Sequence, residues 1–263
     1  MGQSDEGPEH GQPLRGRVAV VTGAGKGIGA SCAVWLASRG ARVVVAGRSE
    51  KDLYTVCGHV ADCGGEALPV LCDVTAGDAV ERLLREARER FGPVDVLVNN
   101  AAVCEAGAFV DQDEAAWRRM LAVNVEAVLR ASRLALRDMI PRGRGVIVQV
   151  ASVAGVPGVP KLPGLAAYAA TKAALLAFTE ALAEEVRPHG VRVVAVSPGS
   201  TKTAMLERVA PGAVEGAMHP GRVAEVVGWL ATDDAAGVTG TNVVVWGPPA
   251  KPAGPDATGG AAC

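Results

Sequence analysis

The sequence predicts a single-domain α/β fold in which a parallel sheet of about seven strands is covered by helices on both faces. Short valine-rich segments alternate along the chain with longer segments of helical periodicity, which is the pattern of βαβ units. The valine-rich segments are nearly continuous apolar runs, as expected for strands that are buried on both sides. Hydrophobic residues make up 49% of the 263 residues, which is enough for one large core.

The elements follow one another in a regular order. The predicted strands are Arg17–Val21, Ala41–Ala46, Leu68–Cys72, Val94–Val98, Val146–Val150, Val191–Val196 and Asn242–Trp246. The predicted helices lie near 28–39, 50–63, 76–91, 112–139, 166–187 and 221–231. One domain over 14–247 therefore accounts for the folded chain, with a disordered tail at 1–13 and a flexible tail at 248–263, both of them poor in large apolar residues.

Composition excludes several classes of function. The formal net charge is −2 and no basic cluster dominates, so a nucleic-acid partner is not expected. No apolar run reaches the roughly 18 residues that span a bilayer, and the first thirteen residues lack the apolar core of a secretory signal. We therefore expect a cytoplasmic protein. The six cysteines form no CxxC pair and the four histidines are scattered, so no metal site is predicted.

A glycine-rich turn follows the first predicted strand. The segment TGAGKGIG places glycines at Gly23, Gly27 and Gly29, immediately before a helix. Glycine lets the backbone turn sharply and approach a ligand, and the free N–H groups of a helix start favour a pyrophosphate. The alternative is an ordinary glycine-rich loop, and the spacing differs from GxGxxG. The position between a buried strand and a helix favours a Rossmann-type dinucleotide site.

The residues at the end of the second strand indicate which dinucleotide the protein binds. In such folds an acidic residue there usually holds the adenosine ribose, but here Gly47 stands at that position and Arg48 follows. The guanidinium fork of arginine suits a phosphate, and Lys26 adds a second positive charge, so we predict NADP(H). The alternative is that Arg48 is merely solvated. Asp73, after the third strand, is predicted either to contact adenine or to form an Asx-type cap.

Tyr168 and Lys172 are spaced i, i+4 at the start of a predicted helix, so they share one face. A nearby ammonium lowers the pKa of a phenol from about 10, and such a pair can transfer the proton that accompanies a hydride. The spacing is common and often structural. The position of the pair favours catalysis, because it lies on a helix of the predicted nucleotide-binding sheet and Ser152, at the end of the fifth strand, precedes it.

Together these motifs resemble the short-chain dehydrogenase/reductase family over about Leu14 to Gly247. The motifs that carry the resemblance are TGAGKGIG with Ile28, CDV with Val74, NNAA at Asn99–Ala102, Asn124, Ser152, Tyr168-x-x-x-Lys172, and PGSTKT from Pro198 and Gly199 to Thr203. The resemblance implies interconversion of a ketone and a secondary alcohol. It also implies a dimer or tetramer, most often the latter, built on the helices near 112–139 and 166–187.

The resemblance implies a role for each matched residue. Tyr168 would be the acid/base and Lys172 would bind the nicotinamide ribose. Ser152 would bond the substrate carbonyl, and Asn124 would hold a water in the proton relay. Further cofactor roles fall on Asn99, which would steady the central strand, on Ala101 beside the adenosine, and on Thr201 and Thr203 near the nicotinamide.

The sequence departs from the family pattern at two places. Ala102 replaces a glycine of the usual NNAG, and Ser152 precedes Tyr168 by sixteen positions where thirteen is common. The intervening loop therefore carries a three-residue insertion, which a loop can absorb. Apolar residues in this loop and in the lid after PGSTKT favour an apolar or bulky ketone, although such residues also pack into cores. They are Val156, Val159, Leu162, Met205, Leu206, Val209 and Met218.

The similar subgroup of 3-oxoacyl-acyl-carrier-protein reductases raises a possible acidic partner. Arg137 and Arg142 could meet a carrier protein, although arginines near a helix end are often only solvated. Two other readings stay open on sequence grounds. One is a binding or regulatory protein that keeps the fold without turnover, which the complete Ser–Tyr–Lys–Asn set argues against. The other is a non-redox enzyme, such as an epimerase or dehydratase, that retains the cofactor.

Overall fold

A computed structural model describes residues 12–247. They form one sheet of seven parallel strands in the order β3-β2-β1-β4-β5-β6-β7, which confirms the predicted fold class. Most of residues 1–13 and all of 248–263, predicted as tails, lie outside the described residues. The strands are β1 Val18–Thr22, β2 Arg42–Gly47, β3 Glu66–Leu71, β4 Val96–Asn99, β5 Gly145–Val150, β6 Val191–Pro198 and β7 Asn242–Val245.

Helices cover both faces of the sheet because alternate strand residues point to opposite sides. In β1, Ala19 and Val21 pack towards α1, α2 and α8, whereas Val18 and Val20 pack towards α3, α5 and α6. The helices are α1 Gly27–Ser38, α2 Glu50–Asp62, α3 Ala79–Phe91, α4 Glu114–Leu121, α5 Ala127–Met139, α6 Ala166–Val186, α7 Ala204–Val209 and α8 Pro220–Ala231. No helix within 12–247 is long and apolar enough to cross a membrane.

The single helix predicted near 112–139 is wrong in one respect. It is divided into α4 and α5 by a π-helical turn over Ala122–Glu126. The cause is Asn124, whose side chain is fully buried and bonds the main chain of Val103 on both its N–H and its C=O. Single π turns of this kind recur at functional sites.

The strand order reverses between β1 and β4, since the chain continues from β1 towards β2 on one side and from β4 towards β5 on the other. In open parallel sheets the crevice outside the carboxyl ends at such a reversal is where ligands bind. The glycine turn follows β1 at this edge, and Ser152 follows β5 on the same side.

Candidate active site

The glycine turn connects β1 to α1 in a conformation that requires glycine. Gly23 and Gly27 have φ of +62° and +56°, in the left-handed region that disfavours other residues. A Cβ on Gly23 would lie 2.8 Å from Ala101 Cα, and one on Gly29 would lie 2.5 Å from the Gly23 carbonyl oxygen. The turn is therefore closed on itself and against the segment after β4. Ile28 packs against the core beneath it.

Thr22 and Asn100, which the sequence analysis did not single out, hold this turn in place. The Thr22 hydroxyl accepts hydrogen bonds from the N–H groups of Asn100 and Ala101 at 3.0 and 3.1 Å. The Asn100 amide donates to the carbonyls of Thr22 and Gly23 at 2.9 and 3.0 Å. The two consecutive asparagines at the end of β4 could have indicated this role from the sequence. Because neighbouring side chains of a strand point to opposite faces, only one of the two can point into the sheet and the other is free to bond the turn.

Asn99 points the other way, into the sheet. Its amide donates to Ser132 Oγ at 3.1 Å and to Gln149 Oε1 at 2.9 Å. These buried bonds fasten β4 to β5 and to α5. The geometry matches the role of steadying the central strand that the resemblance implied for Asn99.

Charged groups surround the end of β2. Arg48 is exposed, and Lys26 Nζ lies 3.0 Å from Asp52 Oδ2 on α2. Asp73 is also exposed and forms an Asx turn, in which its carboxylate accepts from Thr75 N–H and hydroxyl at 3.0 and 2.7 Å. Of the two predictions for Asp73, the local Asx bond is the one that the geometry shows. Val74 beside it is buried.

Tyr168 and Lys172 lie in the first turns of α6, and both side chains are buried. Lys172 Nζ is 5.8 Å from the centroid of the Tyr168 ring, and it donates to the Val150 carbonyl at 2.7 Å. Burial lowers the pKa of Lys172 to about 8.

The lowering of the Tyr168 pKa expected from the ammonium is not seen in this structure, in which burial dominates. Burial raises that pKa, Cys104 adds to the rise, and a hydrogen bond with Ser152 opposes it. The physical reason is that Lys172 directs its Nζ at the Val150 carbonyl, while the phenol is removed from water. Tyr168 is therefore neutral at physiological pH and is prepared to donate a proton.

Ser152 faces Tyr168 from the end of β5. Its oxygen accepts from Ala154 N–H at 3.1 Å, which caps the short 3₁₀ turn Val153–Gly155, and its effect on the phenol opposes the rise in the pKa of Tyr168. The structure thus brings Ser152 and Lys172 close to Tyr168, as the sequence predicted.

Asn124 contacts this group indirectly. Its amide donates to Thr171 Oγ1 at 3.1 Å, and Thr171 donates to the Tyr168 carbonyl at 2.7 Å. The rest of its side chain bonds the main chain of Val103, so both donors of the amide group are used within the fold. Thr171 is a further residue of the site that the sequence analysis did not name.

The PGSTKT segment connects β6 to α7 and contacts the glycine turn. Thr201 is buried and donates to the Gly199 carbonyl at 3.0 Å, and Thr203 donates to the Thr201 carbonyl at 3.2 Å. Thr203 also caps α7, and its Cγ2 would lie 3.0 Å from a Cβ on Gly27. The start of the lid is therefore in contact with the glycine turn.

An apolar cluster surrounds Tyr168. Cys104, Met120 and Leu165 are buried with it, and Trp117, Met205 and Val209 are among the residues packed against them. Burial raises the pKa of the Cys104 thiol to about 11. Of the apolar residues predicted to face the substrate, Met205 and Val209 of α7 pack against the cluster that contains Tyr168.

Two others of those residues belong to the core. Met218 is 2% exposed within the main cluster on the α1 side of the sheet, and Val156 packs against a cluster that contains Val128 and Leu175. Leu162 of the inserted loop is instead 52% exposed. The inserted loop meets the segment after β4 through a bond from Gly107 N–H to the Gly164 carbonyl at 3.0 Å.

A model of the family described as short chain dehydrogenase matches residues 17–213. The chain belongs to this family. The glycine turn, the asparagine pair after β4 and the Ser–Tyr–Lys group all lie within that range. As a short-chain dehydrogenase/reductase, the protein is an oxidoreductase that uses a nicotinamide cofactor.

Relatives of known name cover nearly the whole chain. The 3-oxoacyl-[acyl-carrier-protein] reductase FabG of Escherichia coli strain K12 is 34% identical over 89% of this chain and 97% of its own. The cis-4-hydroxycyclohexanecarboxylate dehydrogenase of Sinomonas cyclohexanicum is 38% identical over 90% and 98%. The structure of the 3-ketoacyl-(acyl-carrier-protein) reductase of Brucella melitensis complexed with NADH has a TM-score of 0.83 and 32% identity, over 89% and 98%.

The predicted contact of Arg142 with an acidic carrier protein does not fit the structure. Arg142 is an internal residue, because it bonds Asp95 at 2.7 Å, the Asp138 carbonyl at 2.8 Å and the Val94 carbonyl. Asp95 is 2% exposed, and the guanidinium groups of Arg142 and Arg144 together balance its buried carboxylate. Arg142 is thus engaged within the fold and is not directed at a carrier protein, whereas Arg137 is exposed on α5.

Proposed function

We propose that this enzyme interconverts a ketone and a secondary alcohol with NADP(H), mainly as a reductase of an apolar or bulky carbonyl compound, 3-oxoacyl compounds included. The observation that carries the proposal is the grouping of Ser152, Tyr168 and Lys172 where β5 ends and α6 begins, at the same edge of the sheet as the glycine turn that follows β1.

The residues at the crevice fit a dinucleotide. Gly23 and Gly29 let the turn close tightly against the segment after β4, and a phosphate would bind at the free N–H groups where α1 begins. Arg48 and Lys26 would bind the 2′-phosphate, and Thr201 and Thr203 would lie towards the nicotinamide. A bound nicotinamide supplies or accepts the hydride.

Residues of the chain supply the proton that accompanies the hydride. Because burial raises the pKa of Tyr168, the phenol is protonated and can donate to a carbonyl oxygen as negative charge develops on it. The Ser152 hydroxyl offers a second hydrogen bond to the same oxygen. The Lys172 ammonium adds positive charge beside the phenol, which favours the phenolate that is left.

The substrate class is inferred from the pocket walls. Trp117, Leu165, Met205 and Val209 are apolar and lie around Tyr168, so they favour a hydrocarbon substituent on the carbonyl carbon. The engagement of Arg142 with Asp95 removes one of the two arginines that would support a carrier-bound substrate.

We further propose a homotetramer or homodimer formed through α5 and α6. A groove between these helices is lined by Leu129, Ile140 and Phe178 among others, and Leu129 is 40% exposed. Contiguous apolar surface of this kind marks an interface. Light scattering on the purified protein measures the assembly, and a monomer at micromolar concentration would contradict it.

The catalytic proposal is tested by consumption of NADPH with ketones of graded size. Tyr168→Phe should lower turnover about a hundredfold or more, as expected for lost acid/base catalysis, with the dissociation constant of NADPH nearly unchanged. The control is Tyr54→Phe, since Tyr54 is the other tyrosine of the chain and is 60% exposed on α2. Retention of most activity in Tyr168→Phe would refute the proposal. Product without net consumption of NADPH would indicate a non-redox reaction.

A further inference from the structure

An ion pair joins the glycine turn to α2. Lys26 Nζ lies 3.0 Å from Asp52 Oδ2, with the lysine side chain 70% exposed and the aspartate side chain 25% exposed. Asp52 is close to the turn itself, because its Cβ would be 3.1 Å from a Cβ on Gly25. The hydrogen bond from Lys26 lowers the pKa of the Asp52 carboxyl, and one from Ser49 adds to this effect. The carboxylate is therefore ionised at neutral pH.

The neighbouring end of β2 carries a further cation, Arg48, which is exposed. Hydrogen bonds from Thr75 and, to a smaller extent, the charge of Arg48 lower the pKa of Asp73. A Cβ on Gly47 would lie 3.8 Å from Gly25 N, so the end of β2 and Asp52 approach the same part of the turn. A phosphate held here by Lys26 and Arg48 would have the Asp52 carboxylate as a neighbour of like charge.

We infer that Asp52 is a positioning residue that limits the preference for a 2′-phosphorylated adenosine by holding Lys26 in an ion pair. This inference rests on the proposed use of NADP(H). To bind a phosphate dianion fully, Lys26 has to give up or share its contact with Asp52. Like charge close to the dianion also disfavours it. The enzyme then discriminates between NADP(H) and NAD(H) less strongly than Lys26 and Arg48 alone would allow.

The test uses nucleotides that isolate the 2′-phosphate, so it does not depend on catalysis. Titration calorimetry compares 2′,5′-ADP with ADP for the full-length wild type, Asp52→Asn, Lys26→Met and the double variant. Asp62→Asn is the matched control, because Asp62 is an exposed aspartate at the far end of the same helix.

Asp52→Asn should bind 2′,5′-ADP about three- to fivefold more tightly, as expected when an exposed ion pair is released, while its affinity for ADP changes less than about twofold. Asp62→Asn should change neither. In the Lys26→Met background, Asp52→Asn should increase the affinity for 2′,5′-ADP by less than about half of the factor seen in the wild-type background, because the two residues act through one contact.

Three results would overturn the inference. They are weaker binding of 2′,5′-ADP by Asp52→Asn, an equal effect of that change on both nucleotides, or full additivity of the two substitutions. A loss of ADP affinity in Asp52→Asn would show that the carboxylate binds the ribose instead. If the wild type bound neither nucleotide, the proposed function itself would fail. If the wild type bound both but Asp52→Asn had none of the expected effects, only the role of Asp52 would fail.

Discussion

Replacement of Lys172 by methionine is expected to change how stability depends on pH. The lysine is 2% exposed, and within 12–247 its Nζ is paired with a neutral carbonyl and with no carboxylate. Burial lowers its pKa from 10.5 to about 8. Between these values the unfolded chain binds the proton more tightly than the folded one, so stability rises with pH through this window.

The magnitude follows from the shift. The cost of burying the ammonium is about 3 kcal/mol at pH 7 and about 1.4 kcal/mol at pH 9.5. Lys172→Met removes this cost, so its stability relative to wild type should be about 2 kcal/mol more favourable at pH 7 than at pH 9.5. The Val150 carbonyl loses its donor equally at both values, and the buried Cys32 thiol is shared by both proteins, so these contributions cancel. The Cys104 thiol interacts with Lys172, but its pKa of about 11 keeps it protonated at both pH values in the folded protein.

The assay is urea unfolding followed by tryptophan fluorescence at the two pH values. Protein concentration is held constant, because association shifts apparent stability. Lys51→Met, at an exposed position on α2, is the control for the loss of one charge, and its pH dependence should differ from wild type by less than about 0.5 kcal/mol. A difference for Lys172→Met that stays constant between the two pH values would refute the argument that burial controls this lysine.

Three further predictions concern the cofactor, the substrate and the turn. Gly47→Asp combined with Arg48→Val should reverse a preference for NADPH of roughly ten- to a hundredfold in kcat/KM, and a wild type that prefers NADH would contradict this. Deletion of Gly158–Pro160 should change KM among ketones while the dissociation constant of NADPH stays within about twofold, so a large loss of NADPH binding would count against it. Gly29→Ala should cost roughly 1–3 kcal/mol of stability, whereas Gly77→Ala, where a Cβ meets nothing within 4 Å, should cost little, and equal losses would argue against the steric account.

The sequence predicted the seven strands because each is a mainly apolar run, and their existence is confirmed, although the outer strands β3 and β7 are only partly buried. It did not predict the break in the helix near 112–139, and the spacing of buried residues explains why. Ala116, Met120, Asn124 and Val128 recur every four residues and all are buried, which is the pattern of one continuous helix. The single sign of irregularity was the polar side chain of Asn124 within this apolar stripe.

The site was predictable where residues follow strands, since the carboxyl ends of parallel strands lie at one edge. Contacts between segments far apart in sequence were not predictable. The bond of Asn100 to the glycine turn and the pair of Lys26 with Asp52 depend on how α2 and the segment after β4 pack beside the turn. For the same reason Met218 was assigned to the substrate pocket, although it pairs with Thr201 and packs in the core.

Tyr168 and Lys172 show why α6 needs support from outside itself. A buried lysine and a buried phenol without a carboxylate partner are costly to the fold, so their positions depend on the surrounding hydrogen bonds. Val150 holds the lysine, while Thr171, placed between Tyr168 and Lys172 in sequence, bonds both the Tyr168 carbonyl and Asn124. Asn124 in turn is fixed by the main chain of Val103, at the segment after β4 that also holds the glycine turn. The π turn is therefore the element that connects α6 to the crevice at the carboxyl ends of β1 and β4, and its irregularity follows from the buried asparagine that makes this connection.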